Sequence, residues 1–180
     1  MTRSLTLTIY ALLIIIIGIL VVSLSFMPSD AIQYSVGFGM LLSAFFSAIT
    51  SYKCKYLNVP YTYHLLHSIG FTIYGIVILF YAISSENFLK ATSFFLLYYG
   101  ITEIIFSFQL TILKRENINL KMVIYRSIIG LLIGVGSFII FMISTNNQRD
   151  ALLASGIVFV FCGINLLLFR TVLKNLKIPI

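Results

Sequence analysis

Six stretches of about 20 mostly apolar residues follow one another along the chain, each long enough to cross a bilayer as a helix. They run approximately over Leu7–Phe26, Ile32–Tyr52, Tyr63–Ser84, Phe88–Leu113, Val123–Ser144 and Ala151–Leu173. A chain of this kind has few options. In lipid every backbone amide and carbonyl must find a partner inside the protein, which leaves helices or a closed barrel. None of the stretches alternates with period two, as a barrel strand does. The pattern therefore predicts an all-α polytopic membrane protein of six transmembrane helices, with residues 1–180 as a single membrane domain.

Composition excludes the alternatives. Charged residues make up 9% of the chain and hydrophobic ones 60%, far from the roughly 25% charged content of soluble domains. A disordered chain and an ordinary soluble enzyme are both ruled out. Cys54 and Cys162 are the two cysteines, too few for a disulfide framework. The first apolar run is longer than a signal h-region and no A-x-A-like site follows it, so it is expected to be retained. Polar punctuation separates the runs. Met27-Pro28-Ser29-Asp30 opens the second, with Ser29 or Asp30 as N-cap. Asn58-Val59-Pro60, Ser84-Ser85-Glu86-Asn87, Lys114–Asn119 and Thr145–Gln148 separate the others.

Twelve Lys and Arg stand against five Asp and Glu, a formal charge of +7. Their placement explains the excess. With the N-terminus inside, Arg3, Lys53, Lys55, Lys114, Arg115, Lys121, Arg126, Arg170, Lys174 and Lys177 fall on the inner side, and only Lys90 and Arg149 on the outer. The positive-inside rule then puts both termini in the cytoplasm, in a multi-pass protein of the inner (plasma) membrane. The lipid bilayer is the expected partner of these cations, not nucleic acid. Tyr10, Tyr52, Tyr56, Tyr61, Tyr63 and Tyr125 fall near the ends of the runs, as an aromatic belt would.

The six runs group as three hairpins, approximately 7–52, 63–113 and 123–173, each with a short outer turn. Small residues recur along both helices of each: Ala11 and Gly18, then Gly37 and Ala44; Gly70 and Gly75, then Ser93 and Gly100; Gly130 and Gly136, then Gly156 and Gly163. The steps from Gly18 to Ala44, Gly75 to Gly100 and Gly136 to Gly163 are 26, 25 and 27 residues. His67-Ser68-Ile69-Gly70 also resembles Arg126-Ser127-Ile128-Ile129-Gly130. Small residues let backbones approach in lipid, where packing replaces the hydrophobic drive. Gly18, Gly75, Gly100, Gly136, Gly156 and Gly163 are therefore expected at helix seams. Three parallel repeats suggest a pseudo-threefold bundle about the membrane normal.

The hairpins, with a Gly-rich first helix, a short polar or Pro-marked outer turn and a Gly-Ile second helix, resemble the HdeD-like family of small bacterial membrane proteins. Gly18-Ile19-Leu20 through Pro28, Tyr99-Gly100-Ile101, and Gly156 with Cys162-Gly163-Ile164 carry the resemblance, which covers nearly the whole chain. Only the first outer turn keeps a Pro; the second is Ser, Glu and Asn. The resemblance implies a bacterial inner-membrane protein with a stress or acid-resistance role and no catalytic residues.

Glu103 is the one acid deep within a run, and an ionisable group there costs roughly 2.5–3.5 kcal/mol on insertion scales. Asn165, two residues after Gly163, and Ser47, three after Ala44, stand at similar depth. The three are expected to form a midplane polar layer. Gln109, six residues after Glu103, is expected at the interface or in packing. His64 and His67 share a helix face near Cys54, but a closed metal site needs more ligands; both are expected at the interface beside Tyr61 and Tyr63. Ser35-Val36-Gly37-Phe38-Gly39 resembles a potassium filter without room for a pore helix. Gly134-Val135-Gly136-Ser137 resembles a hydrolase turn, with no Asp in any run to complete a triad. Asp30, Glu86 and Asp150 fall one per outer turn, as N-cap residues or as a ring at a pore mouth.

These readings predict a non-enzymatic protein without cofactor or metal, acting through packing, self-association or a membrane-protein partner. The alternative is a small transporter or channel using Glu103 and Asn165. An intramembrane enzyme ranks last. Water access to Glu103 separates the first two.

Overall fold

The computed structural model describes residues 3–55, 61–82, 84–112 and 120–175. Among these residues the chain is all helical: α1 (Arg3–Leu24), α2 (Asp30–Lys55), α3 (Tyr61–Phe80), α4 (Ser85–Ile112), α5 (Leu120–Ser144) and α6 (Gln148–Asn175). All six helices are long and apolar enough to cross a membrane. The helix starts at one end of the bundle are capped by the residues that break the apolar runs. Ser29 O accepts from the amides of Ile32 and Gln33 at the start of α2. Ser84 Oγ accepts from Asn87 N at 3.2 Å before α4. Asn147 Oδ1 accepts from Asp150 N at 3.2 Å before α6, and its Nδ2 donates to Asp150 Oδ2 at 2.6 Å. Asp30, Glu86 and Asp150 each stand in the first turn of their helix, where a carboxylate complements the macrodipole.

Neighbouring helices are antiparallel, and α6 returns to pack on α1. The broadest contacts join α2 with α3, α1 with α6 and α4 with α5, followed by α1 with α2. Contacts of α3 with α4 and of α5 with α6 are slighter, and α4 also reaches α6. Two of the three broadest contacts thus join helices linked at the end where α3 and α5 begin, and the third joins the first helix to the last.

Small residues set those seams. A Cβ on Gly18 would stand 2.7 Å from Gly156 O, and one on Gly163 would stand 2.8 Å from Ala11 O, so α1 and α6 touch backbone to backbone. Gly100 faces Gly130 O at 2.7 Å between α4 and α5. Gly75 faces Leu41 and Gly37 O between α2 and α3. That last seam is also stitched by hydroxyls: Ser47 Oγ donates to His64 O at 2.8 Å, Ser51 Oγ to Tyr61 O at 2.9 Å and Ser68 Oγ to Ala44 O at 3.0 Å. Gly156 likewise abuts Gly18 O. Gly136 departs from the expectation, because nothing lies within 4 Å of a Cβ there. α5 uses Gly130 for its close approach, and Gly136 falls on the outward side.

The interior is a column of apolar and aromatic side chains, with Tyr10, Ile14, Ile17 and Val21 from α1 and Phe71, Tyr74 and Ile78 from α3. Outward faces carry Ile16, Phe38, Phe45, Leu132 and Phe138, as hydrocarbon surroundings require. The filter-like pentapeptide lies in the first half of α2, and Ser137 Oγ bonds back to Gly134 O within α5. Both are ordinary helix. Tyr52, Tyr61 and Tyr125 are exposed as a belt requires, whereas Tyr10 and Tyr63 are buried in the core. Tyr56 lies outside the described residues.

Replacing Gly100 with Val drives a side chain into the α5 backbone and is expected to cost about 1–3 kcal/mol. Gly136→Ala fills open space and is expected to be neutral or stabilising by up to about 1 kcal/mol. Unfolding of both variants in detergent micelles checks the contrast; equal losses would contradict these seams.

Candidate functional site: a buried ion pair and its polar shell

The close approach of α4 and α5 creates the site. Gly100 and Gly130 meet at the seam, Glu103 lies one turn beyond Gly100, and Arg126 lies one turn before Gly130. Because the helices are antiparallel, those two turns run side by side. Arg126 Nη1 donates to Glu103 Oε2 at 2.7 Å, with exposures of 2% and 0% for the two side chains. Arg126 was expected among the cytoplasmic cations. It is instead a core residue, because α5 begins before it and its side chain turns inward toward the buried carboxylate of Glu103.

α3 closes the pair from the other side. Tyr63 Oη donates to Glu103 Oε1 at 2.6 Å and accepts from Arg126 Nη1 at 2.9 Å, a three-membered cycle. α6 brings Asn165, whose Nδ2 donates to Glu103 Oε1 at 3.3 Å. It also brings Phe169, whose ring lies 4.3 Å from the guanidinium carbon, with Phe106 at 5.2 Å and Tyr63 at 5.4 Å. The rings give the cation a polarisable surround. Isolated charges at this burial would cost several kcal/mol each, so the geometry of the pair decides whether the bundle tolerates them.

The two histidines are core residues too, each about 1% exposed, and not interfacial as expected. His64 Nδ1 and Tyr10 Oη lie 2.9 Å apart. His67 Nε2 lies 3.1 Å from Thr102 Oγ1, and Thr102 Oγ1 donates its hydrogen to Tyr99 O at 2.7 Å. A hydroxyl has one hydrogen to give. The network therefore assigns the His67 proton to Nε2 and leaves Nδ1 as an acceptor. Among the described residues, His67 Nδ1 and Tyr99 Oη are buried without a hydrogen-bond partner. The two rings stack, 4.6 Å between centroids and 18° apart.

Of the expected polar layer, Glu103 and Asn165 meet. Ser47 does not join them; its hydroxyl is spent on the His64 carbonyl. The cluster also sits off the centre of the helices. Tyr63 is near the start of α3 and Arg126 near the start of α5, so the site lies about two turns from that end of the bundle. Gln109, one turn and a half further on, accepts from Thr62 Oγ1 at 2.9 Å. Among the described residues no three His, Cys, Asp or Glu side chains gather as metal ligands. Of the acids that start helices, Glu86 pairs with Lys90 at 2.6 Å and Asp150 with Asn147. A groove of about 310 Å³ lies elsewhere, between α3 and α4, lined by Gly70, Tyr74, Phe95 and Tyr98.

Sequence reasoning missed Arg126, Tyr63, Tyr10 and Tyr99 as site residues. One signal was available. Arg126 and His67 occupy matching places in the two similar segments before Gly130 and Gly70, and both turn out to face the core. Comparison with protein-family models, curated proteins and solved structures finds no match to this chain.

Replacing Arg126 or Glu103 singly with Leu strands the other charge and is expected to cost about 3–5 kcal/mol. The double replacement is expected to recover most of that loss. A double-mutant cycle by thermal unfolding in micelles reads the coupling; additive losses would show that the pair does not hold the bundle.

Proposed function

We propose that this chain is a non-enzymatic, multi-pass protein of the bacterial inner membrane that acts as a closed helical bundle, through packing or contact with a protein partner. The observation that carries the reading is the enclosure of Glu103 by partners from the chain itself. Its two oxygens accept from Arg126, Tyr63 and Asn165, and none of the four side chains exceeds 2% exposure. Three of roughly four lone-pair sites on the carboxylate are taken, and its charge is matched by Arg126. A carboxylate so engaged serves as a structural group.

The HdeD-like assignment, and the stress-related role that goes with it, rests on the three Gly-rich hairpins. Support comes from recurring small-residue seams: Gly18 with Gly156 and Gly75 with Gly37 pair one set of corresponding positions, and Ala11 with Gly163 and Gly130 with Gly100 pair the other. Charge placement supports cytoplasmic termini, and it still does with Arg126 removed from the inner count. A second reading, a small transporter or channel using Glu103 and Asn165, draws on the concentration of polar groups from α1, α3, α4, α5 and α6 in one place. It requires water to reach them from at least one side.

Cys162 is a native reporter for that requirement, 1% exposed and one turn before Asn165 on α6. With Cys54 replaced by Ala, Cys162 is expected to resist membrane-impermeant thiol reagents from either side until the protein is unfolded. A cysteine placed at Asn146, exposed in the α5–α6 turn, is expected to react from the outer side only. Labelling of Cys162 in the folded protein would overturn the closed-bundle reading in favour of transport. Labelling of position 146 from the inner side would overturn the orientation.

A further inference from the structure

We infer that the bundle core binds water at His67 Nδ1 and Tyr99 Oη, beside the ion pair but separate from it. Three observations lead there. The first is chemical complementarity: His67 Nδ1 is an acceptor by the assignment through Thr102, and Tyr99 Oη is a donor, so one needs a hydrogen and the other a lone pair. Water supplies both from a single atom. The second is burial. Both side chains are about 1% exposed, so bulk solvent does not reach either atom. A buried polar atom left unmade costs more than a hydrogen bond returns, and native interiors answer this with ordered water where two or more polar groups converge.

The third is position. The rings are stacked between α3 and α4. The His67 ring also lies 4.2 Å from that of Tyr63, whose hydroxyl bonds both members of the ion pair. The two atoms therefore belong to the polar centre of the bundle and not to its greasy wall. A larger ligand is excluded by the surroundings of His67, whose ring is enclosed by Tyr63 at 4.2 Å, Tyr99 at 4.6 Å and Phe71 at 5.5 Å. An apolar ligand would satisfy neither atom.

This inference is independent of the closed-bundle reading. A thiol reagent tests passage from the bulk, whereas a single bound water can be held in a site no reagent enters. X-ray radiolysis of the protein in nanodiscs, read by mass spectrometry, makes the distinction, because hydroxyl radicals form from water at its binding site. Tyr74 is the internal control: it is buried at 3% exposure, but its hydroxyl is already engaged with Thr92 at 2.7 Å. Tyr99 is expected to oxidise faster than Tyr74, because its hydroxyl touches bound water. Equal, slow oxidation of both would overturn the inference.

Tyr99→Phe gives a second readout that does not depend on radicals. If water accepts from Tyr99, removal of the hydroxyl takes a bond from the network and the apparent Tm falls. If Tyr99 Oη is a true orphan, its removal relieves a buried polar group and the apparent Tm rises, which would overturn the inference. His67→Phe removes the imidazole acceptor while keeping a ring against Tyr99. It is expected to slow Tyr99 oxidation; an unchanged rate would place the water away from His67 and overturn the shared site.

Discussion

A charge placed in hydrocarbon has to be neutralised by something the chain itself brings to it. In this bundle that constraint falls on one pair. Glu103 and Arg126 meet only because α4 and α5 touch at Gly100 and Gly130, where neither helix has a side chain to hold the other away. The rest of the centre follows from that contact. Tyr63 closes a cycle with both members, Asn165 reaches the same carboxylate from α6, and Phe169 lies against the guanidinium. Four helices are thereby committed to one register. Sliding any one by a turn would move its contribution about 5.4 Å and leave a charge or a hydroxyl facing lipid tails.

The two ends of the bundle are built differently. At the end where α2, α4 and α6 begin, the helices start on local devices: Ser84 and Asn147 cap their own helices, and Asp30, Glu86 and Asp150 face the dipole of the helix they start. None of these needs a distant partner. At the other end, polar groups are shared between helices, from the serine hydroxyls that cross from α2 to α3 to the ion pair itself. Local capping tolerates change, because each cap serves one helix. Shared polar contacts do not, because each residue serves several.

The apolar runs made the six helices legible, and their bounds are reproduced to within about four residues at most ends, the usual scatter of such limits. Most of the glycine seams were legible as well, since small residues in a membrane helix have few other uses. Gly136 was misread because spacing along one helix does not say which face the partner occupies. Glu103 and Asn165 stood out as polar atoms in apolar sequence. Arg126 did not, although it is their equal partner. A cation six residues into a helix looks the same in sequence whether its long side chain snorkels out to water or turns inward. Tyr10 and Tyr63 were hidden for a similar reason: tyrosine near a helix end suits a membrane interface and a buried hydrogen bond equally well. Which one applies is decided by the neighbouring helix, and the sequence does not print its neighbours.

The contact between α1 and α6 carries a consequence for how the chain is strung through the fold. These helices are joined as intimately as any two in the bundle, yet they are the first and last in order. Being antiparallel, they bring the start of α1 beside the end of α6. The six helices form a closed circuit in which each touches the next, and the covalent break falls at one of three comparable seams. The interhelical surfaces are therefore of the same kind at the break as within the chain. A chain joined from its tail to its head and reopened between α2 and α3 would present the same interhelical surfaces, so connectivity and architecture are separable in this molecule.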